Sequence, residues 1–192
     1  MSALRLESLC KVYGDTVVLD GIDLELDAGE FCTVVGASGC GKSTLLKLLL
    51  GQETPTSGRV LLDGKPLPAE PSPERGIVFQ RYSVFRHLTV AENVRFGLEL
   101  RDGDRLLGRC FGRKRAAIRT NAAELLEAVG LAEAADRYPV QLSGGMQQRL
   151  ALAQAIARKP PLLLLDEPFG ALDPGNRASM HGLLKELWSG TG

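Results

Sequence analysis

The run Gly36-Ala37-Ser38-Gly39-Cys40-Gly41-Lys42-Ser43-Thr44 constrains this chain more than any other stretch. It fits G-x-x-x-x-G-K-[ST], the pattern of a loop that wraps a phosphate chain. The preceding residues, Phe31-Cys32-Thr33-Val34-Val35, are apolar and largely β-branched, which predicts a buried strand feeding the loop. The following run, residues 45–50, is nearly all leucine and predicts a helix stopped by Gly51. Glycines allow backbone angles that a Cβ forbids, so successive N–H groups can curl around a phosphate, and the helix adds its positive end. Lys42 then reaches the β- and γ-phosphates, and the Ser43 hydroxyl becomes a ligand of Mg²⁺. Gly36, Ser38, Gly39, Cys40, Gly41, Lys42, Ser43 and Thr44 are therefore expected to form a nucleoside triphosphate site.

Composition bounds the rest. At 192 residues the chain fits one domain with a real core. Lys plus Arg and Asp plus Glu both number 23, and a net charge of zero argues against a general nucleic-acid binder. The apolar runs at 45–50 and 162–165 are far too short for a bilayer, and Met1-Ser2-Ala3-Leu4-Arg5 has no signal-peptide core, so a cytoplasmic chain is expected. Cys10, Cys32, Cys40 and Cys110 form no C-x-x-C pair, which suggests buried or idle thiols rather than zinc or disulfides.

Residues 4–26 read as strands, with Leu4, Leu6 and Leu9 in loose alternation and Ile22, Leu24 and Leu26 in strict alternation. Gly14-Asp15 and Asp20-Gly21 read as turns, and Tyr13 precedes the first of them. Residues 59–62 and Asp63-Gly64 predict another strand and tight turn, the proline-rich residues 66–73 a surface loop, and residues 76–79 a short buried strand with Gln80 at its end. Thr89-x-x-Glu92 looks like a capping box opening a helix to about Leu100, and Asn121-x-x-Glu124 looks like the start of one ending near Gly130. Between them, residues 101–119 are rich in Arg, Lys and Gly. A helix there would align Arg101, Arg105, Arg109 and Arg113, either as a solvated face or as a docking surface for an acidic partner or lipid headgroups.

Gln141-Leu142-Ser143-Gly144-Gly145-Met146-Gln147-Gln148-Arg149 leads into a helix reaching about Arg158, whose first turn is a second anion-ready N-terminus. After Pro160-Pro161, Leu162-Leu163-Leu164-Leu165 has strand length and ends on Asp166-Glu167. In parallel α/β sheets ligands gather at that edge, and adjacent carboxylates beside a leucine run are costly without a cation. Asp166 is placed to hold Mg²⁺ and Glu167 to orient water. Ala171-Leu172-Asp173-Pro174 precedes a last helix over about 177–188.

Taken together these residues resemble the nucleotide-binding subunit of ATP-binding cassette (ABC) transporters, over nearly the whole chain. The most specific piece, Leu142-Ser143-Gly144-Gly145-Met146-Gln147, is similar to the family signature LSGG-x-Q. The resemblance implies an α/β P-loop NTPase fold of the ABC ATPase type: a mainly parallel sheet core, an antiparallel β subdomain and an inserted α-helical subdomain, truncated at the C-terminus. Within a single 1–192 domain, the β part is expected over about 1–30 and 58–66. The nucleotide-binding core would take about 31–57, 74–80 and 159–192, and the helical part with the signature about 81–158. By the same resemblance Tyr13 would stack on adenine, and Gln80 would touch Mg²⁺ and relay the site's state to the membrane. Asp166 would hold the metal, Glu167 would be the general base or water positioner, and Asp173 would belong to the loop that crosses to a second subunit. Ser143, Gly144, Gly145 and Gln147 would contact ATP held by that second subunit.

The implied cofactors are ATP and Mg²⁺. The implied partners are a second cassette, identical or different, transmembrane permease subunits and an extracytoplasmic solute-binding protein, but no nucleic acid. Such a chain would sit peripherally at the cytoplasmic face of the inner membrane and hydrolyse ATP to drive an importer. Met146, and Phe79-Gln80 followed by His87-Leu88-Thr89-Val90-Ala91-Glu92-Asn93-Val94, look like bacterial importers, and residues 166–173 with Arg177, Met180 and Leu187-Trp188 are similar to the nitrate/sulfonate/taurine importer group. Residues 101–119 exceed that group's usual spacing. The alternatives are a soluble ABC ATPase acting on ribosomes or DNA, which would carry two cassettes or a heptad insertion, and an exporter cassette. The family's switch histidine follows the final helix, beyond Gly192 by family spacing, and neither His87 nor His181 follows a strand. A truncated, weakly active cassette with an aggregation-prone sheet edge is thus expected.

Overall fold

A computed structural model describes residues 2–68, 70, 72, 74–79, 84–102, 113–168, 182 and 184. The chain divides into two compact units, Met1–Arg75 and Gly76–Gly192.

The first unit is built on a long hairpin of β1 (Ser2–Tyr13) and β2 (Thr16–Asp27), turned by Gly14-Asp15. β3 (Ser57–Leu62) and β4 (Lys65–Pro66) complete an antiparallel sheet in the order β2-β1-β3-β4. Leu4, Leu6 and Leu9 are all buried although Leu9 breaks the two-residue alternation. A bulge at Ser8 explains this. Ser8 takes a φ of 44°, its N–H donates to Asp23 Oδ1 at 2.6 Å, and the pairing steps from Leu6↔Leu24 to Leu9↔Ile22. The extra residue turns Leu9 back to the buried face. Gly58 meets the same bulge from β3. A Cβ there would lie 2.3 Å from the Ser8 carbonyl oxygen, at a φ of 77° that side chains resist.

Asp20-Gly21, expected as a turn, lies inside β2. The register moves from Leu9↔Ile22 to Lys11↔Leu19, so the dipeptide makes a second bulge, with Gly21 at φ 60°. Asp63-Gly64 is the tight turn the sequence suggests, with both φ values positive, at 49° and 73°. Pro66 sits on the edge strand β4, where a missing N–H does no harm.

α1 (Lys42–Leu50) buries Leu45, Leu48, Leu49 and Leu50. It ends at Gly51, where the N–H groups of Gly51 and Gln52 return to the carbonyls of Leu48 and Lys47. Residues 31–35 depart from expectation. They join neither sheet, and Phe31, Val34 and Val35 are 56%, 50% and 82% exposed. An apolar β-branched run becomes a strand only where a neighbour offers a ladder, and the first unit's sheet ends at β2 and β4.

β5 (Arg75–Val78), of which residues 76–78 belong to the second unit, and β6 (Leu162–Leu165) form a two-stranded sheet, tied at its end by the Asp166 N–H to the Val78 carbonyl at 3.0 Å. Three helices pack together: α2 (Val90–Asp102), α3 (Arg113–Ala128) and α4 (Gly144–Ala157). Val90, Val94 and Leu98 of α2, Ile118, Ala122 and Leu126 of α3, and Leu150, Ala153 and Ala157 of α4 share one core. The opposite face of α4, with Ala151, Leu152 and Ile156, packs with Val78 in another. α4 is apolar on two sides because it is covered on two sides.

α2 opens as expected: the Thr89 N–H donates to Glu92 Oε2 at 2.8 Å and the Glu92 N–H to Thr89 Oγ1 at 3.2 Å. α3 starts eight residues before the expected Asn121, because Arg113-Lys114-Arg115-Ala116-Ala117 are themselves good helix formers. Of the basic residues 101–119, the span 103–112 with Arg105 and Arg109 lies outside the described residues. Among the described residues no helix is long and apolar enough to cross a membrane.

Candidate functional site: a phosphate cradle and a capped glycine helix

The glycine loop, residues 36–40, is exposed, and Gly41 behind it is buried. Gly41 is the N-cap of α1 with a φ of 98°, and a Cβ there would fall 2.9 Å from both Leu19 Cδ2 and the Val18 carbonyl oxygen. The turn into the helix therefore tolerates no side chain. No side chain caps α1 and its first turn holds no acidic residue, so its N–H groups and positive end are left to an incoming anion.

The Lys42 ammonium folds over the loop, donating to the carbonyls of Gly36 at 2.7 Å and Ala37 at 2.8 Å, with Cys40 Sγ at 3.8 Å. Ser38, Gly39, Cys40 and Ser43 are exposed and Thr44 is half-buried. This donor set fits a polyphosphate: a left-handed glycine turn, free helix N–H groups, one ammonium and a hydroxyl at the first turn.

Tyr13 ends β1, and its hydroxyl donates to Glu53 Oε2. Glu53 also pairs with Lys11 at 3.4 Å and Lys47 at 3.3 Å, and Lys11 Nζ stands 4.9 Å from the centre of the Tyr13 ring. The Glu53 carboxylate pushes the Tyr13 phenol above its ordinary pKa, while Thr44 opposes the shift. The phenol in turn holds Glu53 below the usual carboxylate range, helped by Lys47 and Lys11. The Thr44 contact links Tyr13 to the first turn of α1, so the structure brings these two expected site residues together.

In the second unit Ser143 caps α4, its Oγ accepting from the Met146 N–H at 3.3 Å. Gly144 is exposed and Gly145 half-buried at the helix start. The Gln147 side-chain Nε2 donates to the carbonyls of Pro139 at 3.0 Å and Leu142 at 3.2 Å, so this amide braces the loop entering the helix. Asp166 is half-buried at the end of β6, and Glu167 is exposed with a φ of 44°, an unusual backbone for a residue with a side chain. Gln80 and Asp173 lie outside the described residues, as do His181 and the expected last helix apart from helical residues 182 and 184.

Four buttresses escaped the sequence reading. Glu53 is one. Arg75, 5% exposed, donates to the carbonyls of Leu49 at 3.2 Å, Pro68 at 3.0 Å and Glu70, clamping the proline-rich loop to the C-terminus of α1. Asn93, fully buried, binds Phe85, Leu88 and Thr89 ahead of α2. Arg149, inside the expected signature, reaches the carbonyls of the turn that follows α3, Val129 at 3.0 Å and Gly130 at 3.2 Å. A buried polar residue on a helix is the signal that could have found Asn93.

Comparison with known proteins accords with this arrangement. Residues 19–170 match the model of the ABC transporter family. A sulfate/thiosulfate import ATP-binding protein, CysA of Bradyrhizobium diazoefficiens, is 46% identical over 96% of this chain and 52% of its own length. The spermidine/putrescine import ATP-binding protein PotA 1 of Pseudomonas aeruginosa is also 46% identical, over 99% of this chain and 51% of its own. The chain thus spans about half the length of these curated relatives. These relatives are named for sulfate/thiosulfate and polyamine import, not for the nitrate/sulfonate/taurine group that the closing motifs suggested. Among solved structures, cbiO1 from Clostridium perfringens, part of the ABC transporter complex cbiONQ, superposes with a TM-score of 0.85. It is 30% identical over 99% of this chain and 75% of that one. MJ1267, an ATP-binding cassette of an ABC transporter, gives 0.82 at 27% identity, over 98% of this chain and 78% of that one. The chain has the ABC ATPase fold and belongs to the ABC transporter family.

Proposed function

We propose that this chain binds and hydrolyses Mg-ATP as the motor subunit of an ABC importer. The observation that carries the reading is the open N-terminus of α1 beneath a glycine loop, with Lys42 already drawn over that loop. Bound Mg-ATP would supply the transferable phosphoryl group and the metal charge. Lys42 would exchange its carbonyl partners for β- and γ-phosphate oxygens, and Gly36, Ser38, Gly39, Cys40, Gly41 and Thr44 would line the cradle. Ser43, Asp166 and Gln80 would hold the metal, Glu167 would orient the attacking water, and Tyr13 would stack on adenine. Phosphoryl transfer is catalysed chiefly by position and charge, so a motor of this kind needs its groups assembled rather than reactive.

The exposed Gly144 start of α4 supports a role facing ATP on a second cassette, with Ser143, Gly145 and Gln147 shaping that face and Asp173 crossing to it. ATP affinity that is higher in the closed pair than in the open one would then drive the permease subunits at the cytoplasmic side of the membrane. An extracytoplasmic binding protein would deliver the solute. Relatives at the same 46% identity are named for a divalent oxyanion and for a polyamine, so we assign solute choice to those partners and not to this chain. Equilibrium binding of a fluorescent ATP analogue to Lys42→Ala tests the reading. A large loss of affinity in a folded variant is expected. Unchanged affinity refutes it.

A further inference from the structure

We propose that Glu53 is the positioning residue for Tyr13, holding the ring as a fixed platform whose uncovered face takes the purine of the nucleotide. The proposal rests on the ATP-binding reading and names the part of the site that selects the base.

Tyr13 is 42% exposed at the end of a strand, beside the Gly14-Asp15 turn, where a ring with two free torsions would sweep a wide arc. Three contacts restrain it. Its hydroxyl donates to Glu53, Thr44 faces the phenol oxygen, and the Lys11 ammonium covers one face of the ring. Lys11 is itself anchored, donating to the Thr54 carbonyl at 2.8 Å while pairing with Glu53. With the ring so held, the residue still keeps 42% of its surface open to solvent, and an electron-rich aromatic face is what a purine stacks on.

Glu53 is fixed to α1 from the other side. It follows the Gly51 cap, its N–H points to the Lys47 carbonyl at 3.4 Å, and its carboxylate pairs with Lys47. The helix that offers its N-terminus to phosphate therefore carries, at its C-terminal end, the group that fixes the ring. Base platform and phosphate cradle are referenced to one rigid element. Pre-setting the ring removes an ordering cost that binding would otherwise bear. The raised phenol pKa keeps on Tyr13 the proton that this contact uses.

The test measures affinity for Mg-ATP and for Mg-tripolyphosphate, which has the phosphates but no base. The proteins are the wild type, Glu53→Gln, Glu53→Ala, Tyr13→Phe, Tyr13→Ala and the Glu53→Ala/Tyr13→Phe double variant. The preference for ATP over tripolyphosphate should fall by about 3- to 10-fold in Glu53→Ala and in Tyr13→Phe, since each removes the same hydrogen bond. The double variant should fall no further. Glu53→Gln, which keeps an acceptor, should lose less. A purely structural brace would lower both affinities together, leave the preference untouched and overturn the proposal. Additive losses in the double variant would do the same. A preference that falls in Tyr13→Ala but survives in Glu53→Ala would refute the role of Glu53 alone. A Tyr13→Ala protein with wild-type preference would remove the base from Tyr13. A wild type that binds neither ligand would sink the ATP-binding reading itself.

Discussion

Replacing Asn93 by alanine strips four hydrogen bonds from a residue with no solvent exposure. Its Oδ1 accepts from the Phe85 N–H at 2.8 Å, and its Nδ2 serves the carbonyls of Phe85 at 3.0 Å, Leu88 at 3.1 Å and Thr89 at 2.9 Å. Not all four groups are orphaned by the change. The Thr89 carbonyl keeps the Asn93 N–H at 2.9 Å, and the Phe85 carbonyl keeps the Leu88 N–H at 3.2 Å. The Phe85 N–H and the Leu88 carbonyl lose their partners. Two such groups, each partly reachable by water, put the loss at about 2–3 kcal/mol. Asn93→Asp should cost more than Asn93→Ala, because it removes three donations and turns a carboxylate toward three carbonyls. Urea denaturation reads the global loss, and amide exchange at Phe85 reads whether the segment before α2 is released. The exposed Asn121 of α3, changed to alanine, is the control. A loss no larger than that control, or an unchanged Phe85 exchange rate, would refute the reasoning.

Arg75→Met should cost about 2–3 kcal/mol, since it removes a charged donor from the Leu49, Pro68 and Glu70 carbonyls. Arg75→Lys should restore only part of the denaturation midpoint, because one ammonium cannot span the fork. Glu92 is held below its ordinary pKa first by the Thr89 backbone N–H and then by the Thr89 hydroxyl and Arg95. A folded pKa below the unfolded one adds stability that is complete above the unfolded value and lost as pH falls through the folded one. The acid limb of a stability-versus-pH curve should therefore be shallower in Glu92→Gln than in the wild type between about pH 5 and 3. An identical limb would exclude the capping carboxylate as a source of acid sensitivity.

What could be read from the sequence was what closes over a few residues. The Thr89–Glu92 box, the Gly51 stop and the Asp63-Gly64 turn each involve partners no more than five residues apart, so composition and spacing suffice. The Asp20-Gly21 error has the opposite origin. Two turn-forming residues look alike in a turn and in a bulge, and only the register against β1 separates them. The Asn121 error came from trusting a start signal over the helix-forming run before it. The Glu53–Tyr13, Arg75–Leu49 and Arg149–Val129 contacts were missed because the paired residues lie 40, 26 and 20 positions apart, a distance across which a single sequence carries no pattern. The local turns and caps were legible and the long-range braces were not.

The contact of Gly41 with the hairpin bears on how this protein could be rebuilt. A Cβ at position 41 would strike Leu19 and Val18, so the loop and the hairpin share one steric boundary that neither owns. A graft that carried residues 36–44 onto another hairpin would bring the chemistry but leave the boundary behind. A bulkier residue than leucine at position 19 would push the start of α1 outward, and a smaller one would let it sag. Chimeras of this protein should therefore be cut outside residues 18–51, so that the strand that sets the height of the helix travels with the helix.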